Sequence, residues 1–400
     1  MLDSTGVEID AAGRLGAILG VSVPETHREM FEEARRFADE VLIPAADRHD
    51  REESFPEDQV AALAKKGFLG ILAPEQYGGM GLDNLALTLA LEEINRGCAS
   101  TGVTLSVHNS LLSSPLLHFG TEEQKERFFP GLASGESLGA YAITEPDHGS
   151  DALSIETTCR KEGDEWILNG TKAWITNGSR AGTIITFATM DPALRSKGIN
   201  AFVVDPSMPG YSVGKKELKL GIRGSDTVQL VFDEMRVPAE NLLGEEGQGF
   251  KIAMHTLDGG RVGIATQAVG IAQACLDTAV AFAEGHEMFG RRLADNQLVS
   301  HKIADMATRV EAARLLTLRA AMLKDAGAPH SRQASMAKLS ASEIANDAAR
   351  MALEIHGGAG IGRQSPIERL FRDAKICEIY EGNSQIQRLV ISRHVRPDRT

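Results

Sequence analysis

The chain has 400 residues, too many for one compact core and enough for two or three domains. Apolar residues make up 42% and charged residues 24%, a globular balance, and a formal net charge of −13 argues against a nucleic-acid-binding face, which needs clustered cations. The cysteines, Cys98, Cys159, Cys275 and Cys377, form no C-x-x-C pair, so neither a disulfide framework nor a zinc knuckle is suggested, and a reducing, cytoplasmic setting is expected.

Residues 1–24 read as a tail in which Asp3, Glu8 and Asp10 outnumber Arg14, unlike a basic signal or transit segment. No apolar run reaches the ~18 residues of a membrane span. From 25 to 137 the pattern is helical. Thr26 and Glu29 predict a capping box before an amphipathic run, 30–41, that Pro44 stops. A second helix follows Pro56 and ends at Gly67, a third runs from Asn84 to near Gly97, and Thr121 caps a fourth from Glu122. From 138 to 240 short β-rich runs take over, at 138–143, 155–160, 165–168, 172–176, 183–188, 201–204, 211–215 and 228–232, with Asn169-Gly170 predicting a two-residue hairpin. From 241 to 400 helices return at roughly 250–284, 297–326, 331–356 and after Gly382. The expected fold class is α+β and multidomain: an N-terminal helical domain, a small central β barrel or sandwich, and a C-terminal four-helix bundle. A Rossmann sheet is not expected, because strands and helices do not alternate.

Three segments carry chemistry. In Tyr141-Ala142-Ile143-Thr144-Glu145-Pro146-Asp147-His148-Gly149-Ser150-Asp151 a strand ends in a polar loop whose N–H groups and hydroxyls suit an anionic or carbonyl-rich ligand; alone it is equally a strand-ending turn. In Lys172-Ala173-Trp174-Ile175-Thr176-Asn177-Gly178, Trp174 and Thr176 share a strand face, offering an aromatic plane and a hydroxyl to a flat heterocycle, though a core Trp beside a strand Thr gives the same pattern. In 379–388, Glu381 sits among apolar residues before the last helix. That setting raises a carboxyl pKa, as a general base needs, while a first-turn Glu favoured by the helix dipole reads the same way. Other patterns fail. Gly358-Ala359-Gly360 follows a helix rather than a strand. Ser335-Met336-Ala337-Lys338 matches S-x-x-K without a K-T-G partner and reads as two polar residues on a helix. The histidines show no metal-ligand spacing.

In this order and spacing, YAITEPDHGSD, KAWITNG and IYEGNSQIQR, with LKLGIRGSDTVQLVFDEMRVP (218–238) and Asp258-Gly259-Gly260-Arg261, the chain closely resembles the acyl-CoA dehydrogenases from about residue 25 to 396. The resemblance implies the same three-part fold, a homotetramer and non-covalently bound FAD. It implies that Tyr141, Ile143, Thr144, Gly149, Ser150, Trp174, Ile175 and Thr176 hold the flavin. It assigns the nucleotide half to His286, Phe289, Gln297, Glu354, Gly357, Gly358, Asn383 and Gln385, with the 286–290 segment reaching a neighbouring subunit. Ser150, Asp258, Arg261, Tyr380 and Gly382 would contact the acyl-CoA. Glu381 would be the base, since the family's other base position is Gly260 here. It would take the α-proton as a β-hydride leaves for flavin N5, giving a trans-2-enoyl-CoA, and electrons would pass to an electron-transferring flavoprotein. Short-chain (butyryl-CoA) members are resembled most, notably around 247–274, and the lack of Arg or Lys between Arg96 and Lys125 argues against a dicarboxylate substrate. His286, Glu354 and Asn383 replace the family's usual Arg, Gln and Thr, which implies looser FAD binding. The alternatives are a short branched acyl-CoA substrate, a flavin oxidase or monooxygenase of the same fold, and a non-catalytic acyl-CoA-binding protein.

Overall fold

The computed structural model describes residues 23–396, so all but the last two residues of the expected tail at 1–24 lie outside the described residues. Helices α1 (Glu25–Phe37) and α2 (Ile43–Glu52) are joined by a π turn, Ala38–Leu42, into one continuous rod. The expected Thr26–Glu29 capping box is absent. The helix begins behind Pro24, which has no side chain to cap with, and Thr26 already lies inside the first turn. Nor does Pro44 stop the rod: it enters α2 in the first turn, where a missing N–H costs least, and the π turn absorbs the change of register.

Helix α3 (Glu57–Lys65) follows, then α4 (Asn84–Gly97), whose start is capped by the Asp83 carboxylate accepting from Ala86 N–H at 2.9 Å. The stretch beyond it, for which the sequence predicts no element, forms α5 (Ala99–Ser106), a π segment (Val107–Ser113) and α6 (Ser114–Phe119). Nearly every side chain from 99 to 116 is buried, so no amphipathic period marks it. Helix α7 (Glu122–Ser134) carries the capping box expected at Thr121, closed by Gln124.

Eight strands form the middle of the molecule: β1 (Leu138–Ala142), β2 (Thr158–Glu162), β3 (Glu165–Thr176), β4 (Ala181–Thr189), β5 (Ile199–Val204), β6 (Tyr211–Lys216), β7 (Thr227–Pro238) and β8 (Leu242–Leu243). They run β6-β7-β3-β2-β4-β5-β8, with β1 parallel to β4. β2 touches β4 at one residue pair, Thr158 and Thr189, so the sheet is two halves hinged at a corner. Both halves bury one core that includes Trp166, Phe202, Leu230 and Phe232, which makes the domain a small sandwich.

The Asn169-Gly170 hairpin does not form. Both residues lie inside the continuous strand β3, where Gly170 (φ 150) sits at a bulge against Thr157; a Cβ there would come within 2.5 Å of that hydroxyl. The hairpin between β2 and β3 instead turns at Gly163, φ 61.

The C-terminal part holds α8 (Gly249–Gly285), two short strands β9 (Glu287–Met288) and β10 (Arg291–Arg292), α9 (Gln297–Asp325), α10 (Ser331–His356), the single turn α11 (Gly358–Ile361), α12 (Pro366–Ala374) and α13 (Ser384–Val395). Helix α8 corrects the expectation that no segment is long and apolar enough to cross a membrane. It meets that test by length and composition, but most of its apolar stretch is buried between α9, α10 and α4. An Arg–Asp network ties the three parts together: Arg369 reaches Asp47 (2.8 Å), Arg372 reaches Asp50 (2.8 Å), and Asp373 accepts from Ile222 N–H (2.5 Å).

Candidate active site

The three chemistry-bearing segments, two about 20 residues apart and the third about 200 residues further on, meet around one turn. The buried Lys172–Glu145 pair, 2.7 Å apart, pins the loop after β1 to strand β3. Glu145 also accepts from Thr157 N–H at 3.0 Å, and Ala173 N–H donates to the Thr144 carbonyl at 2.8 Å. Attraction to Lys172 and these donors outweigh burial and hold the Glu145 carboxyl below its usual range. The third segment joins through Asn383, whose amide donates to Ser150 Oγ at 3.5 Å.

Glu381 lies in that turn, ahead of the helix and not in its first turn. Asn383, not a glycine, is the N-cap of α13 and accepts from Ile386 N–H at 3.0 Å. Glu381 and Gly382 are both left-handed (φ 55 and 87), a conformation a glutamate adopts only when its surroundings hold it there. The turn aims the carboxylate inward. Its Oε2 is sealed from solvent and has no hydrogen-bond partner among the described residues. Burial pushes the Glu381 carboxyl up to about 7, against the opposing pull of Arg261 and Lys338.

Opposite stands Gly260 on α8. A Cβ at that glycine would come within 2.5 Å of Glu381 Oε2 and 2.7 Å of Leu111 Cδ2. The two base positions implied by the resemblance therefore converge on one point in space, which here holds a single carboxylate. Around it lie Tyr141 and Tyr380, whose phenols are pushed up first by burial and further by nearby negative charge, that of Glu381 included. Arg261 is buried and paired with Asp258, which also accepts from Ser331 Oγ at 2.9 Å; Arg261 Nε has no partner among the described residues.

Further along α8, Gly263 faces Ser106 and Ser110, and one helical turn beyond it lies Gln267. That fully buried amide donates to the Ala99 carbonyl at 3.2 Å and accepts from the Tyr380 hydroxyl. Sequence reasoning missed Leu111, Gln267, Lys338 and Gln387. Leu111 and Gln267 have no local signal; Lys338 stands out only as an incomplete S-x-x-K match, and Gln387 lies in the 379–388 segment without an assigned role.

Beside the turn, Trp174 is left-handed (φ 60) at a bulge of β3 and 55% exposed. Ile175 is buried in the sandwich core, and Thr176 is half-buried on the Trp174 side. Tyr141 is buried, Ile143 and Thr144 are half-buried, and Gly149 has open space where a side chain would be. An exposed indole, a flanking hydroxyl and a bare backbone loop fit the flat ring of a flavin.

The remaining predicted residues gather elsewhere, where α8 ends, α9 begins and α10 ends. His286 stacks on Phe282, which stacks on His356 (centroids 3.7 and 4.2 Å apart). Phe289 is 94% exposed at φ 53. Gln297 is exposed on α9, and Glu354 is exposed on α10 in ion pairs with Lys302 and Arg350 (each 2.6 Å). Gly357 and Gly358 are exposed, with nothing near a would-be Cβ. Gln385 belongs to the first group, exposed on α13.

Family models described as the N-terminal, middle and C-terminal domains of acyl-CoA dehydrogenase match residues 24–136, 140–235 and 247–396. The chain is 52% identical over 375 residues to the short-chain specific acyl-CoA dehydrogenase, mitochondrial, of Homo sapiens, covering 94% of this chain and 91% of the relative. Butyryl-CoA dehydrogenase from Megasphaera elsdenii superposes with a TM-score of 0.92 at 41% identity, over 94% of this chain and 99% of that one. A chain from a study of the electron transferring flavoprotein of Acidaminococcus fermentans gives 0.92 at 44% identity, over 94% and 98%.

Proposed function

The chain belongs to the acyl-CoA dehydrogenase family, and from that premise we propose that it oxidises a short-chain acyl-CoA to the trans-2-enoyl-CoA, with Glu381 removing the α-proton. The enzyme is an FAD-dependent oxidoreductase; when bound, FAD supplies the acceptor for the β-hydrogen as hydride. One observation carries the assignment of the base: a carboxyl with a pKa near 7 whose Oε2 is sealed from solvent, without a partner among the described residues, and set directly against a glycine of α8.

Each of the chain's groups has a task in this reading. Glu381 Oε2 is sealed from solvent, so the α-proton passes to Glu381 and to no solvent base. The backbone N–H of Glu381 is the donor offered to the thioester oxygen, where negative charge grows as the proton leaves. Asp258 and Arg261 hold the thioester arm. Trp174, Thr176 and the loop 143–150 form the flavin platform.

A short acyl tail is supported by the Tyr380–Gln267–Ala99 chain of hydrogen bonds, which closes the face of α8 about one helical turn beyond Gly263.

The second group of residues supports a homo-oligomer. The stretch of α8 from Gly260 to Gly285 is about 37 Å long at 1.5 Å per residue, further than one dinucleotide reaches. The exposed 286–290 segment then serves the flavin of a neighbouring copy, in a homotetramer. The likeness to the chain from the Acidaminococcus fermentans study supports an electron-transferring flavoprotein as the electron acceptor.

The test is a series of straight and branched acyl-CoAs with an artificial dye acceptor. The reading expects kcat/KM to peak near four carbons and to fall steeply by eight. No acyl-CoA-dependent dye reduction would overturn it, and stoichiometric peroxide in place of dye reduction would make the protein an oxidase.

A further inference from the structure

The Ser335–Lys338 pair, which matches no complete catalytic motif, is buried on α10. Among the described residues no carboxylate pairs with Lys338; its Nζ donates to the Gly382 carbonyl at 2.8 Å. The Gln387 amide donates to the same carbonyl at 2.7 Å and to the Glu381 carbonyl at 3.2 Å. Both carbonyls of the left-handed turn are thus held from beneath by buried donors.

A neutral donor already serves the Gly382 carbonyl, yet a full positive charge is buried there as well. Burying an ammonium without a paired carboxylate is costly. The charged and titratable groups around it and around Glu381 are Arg261 on α8, Tyr141 on β1, and Cys377, Glu378 and Tyr380 on the segment leading into the turn. Burial pushes Lys338 down to about 8, so the ammonium is mostly charged at pH 7. Its charge then favours the ionised form of Glu381.

We propose that Lys338 is a positioning residue for the base: it fixes the Glu381–Gly382 turn through the Gly382 carbonyl and supplies the positive charge that keeps Glu381 a carboxylate. The proposal rests on the reading of Glu381 as the base. Lys338 touches no substrate atom and acts through that turn.

The experiment compares pH profiles of kcat and kcat/KM for the FAD-loaded enzyme and its Lys338→Met, Lys338→Arg, Gln387→Leu and Glu381→Gln variants. Lys338→Met is expected to lower kcat about 100-fold through misplacement of the carboxylate and to move the acid limb up by about one pH unit through loss of the charge. Lys338→Arg keeps the charge and should leave the limb in place while kcat falls. Gln387→Leu removes the neutral donor alone and should lower kcat with an unmoved limb. It keeps the test alive if Lys338→Met does not fold, because a limb that moves in Gln387→Leu would show that turn geometry alone sets the profile and would overturn the proposal. A Lys338→Met enzyme with the parent's acid limb overturns it too. Wild-type turnover by Glu381→Gln instead overturns the reading of the base itself, a result separable from any outcome at Lys338.

Discussion

The two ends of helix α8 are built on opposite principles. At the Gly260 end every functional group is held from several sides. Glu381 sits in a strained turn fixed by Lys338 and Gln387, its Oε2 is sealed from solvent against Gly260 of α8, and the loop after β1 is pinned to β3 by the Lys172–Glu145 pair. At the Gly285 end the groups stand in the open: Phe289 almost fully exposed, Gly290, Gly357 and Gly358 with no neighbour, Glu354 at the surface. Preorganisation needs a packed surround, so the first end is complete within one chain. An exposed phenylalanine beside bare glycines is the surface that the proposed second copy would cover.

That contrast can be broken at either end. The largest effect is expected at the base: Glu381→Gln should lower turnover by about 10⁴-fold, the upper range for loss of a general base, with acyl-CoA affinity nearly unchanged by calorimetry. The same change should stabilise the protein. A carboxyl raised from its usual 4.5 to about 7 favours the protonated fold; its stabilising contribution is whole below 4.5 and is lost as pH rises through 7. Glu381→Gln should therefore gain up to about 3 kcal/mol over the parent at pH 8 and nothing at pH 4, read from unfolding midpoints. Gly260→Ala should cost about 100-fold in kcat, because the new methyl meets both Glu381 Oε2 and Leu111. At the open end, Phe289→Asp should leave a folded chain of lower molar mass by light scattering, with FAD content, read from flavin absorbance, reduced several-fold. Unchanged mass and flavin content would remove the argument that the second end serves another copy.

Much of this contrast was legible in the sequence. Period and punctuation located the three parts, and the cap at Thr121 and the stop at Gly67 are where residue chemistry put them. The failures share a cause, tertiary context overriding a local signal. Pro44 looks like a stop but falls in a first turn set by an upstream π turn, and Asn169-Gly170 looks like a hairpin but lies beside Thr157 in mid-strand. The buried segment 99–116 has no polar face and so no period to read. At the site, the residue types and their order marked Glu381, Trp174 and Thr176. The support of Glu381 was not legible: Gln267, which bonds Tyr380, carries no local signal, and the Lys338 and Gln387 contacts to the turn arise only from packing.

The central claim is that the Glu381 carboxylate, with a pKa near 7, takes the α-proton. Its most direct test is wash-out of α-hydrogen from a short acyl-CoA into D₂O by the FAD-loaded enzyme without an electron acceptor, followed by NMR as a function of pH. The account predicts exchange that rises with pH through about 7 and vanishes in Glu381→Gln. Exchange that persists in that variant, or that shows no rise near pH 7 in the parent, would contradict it.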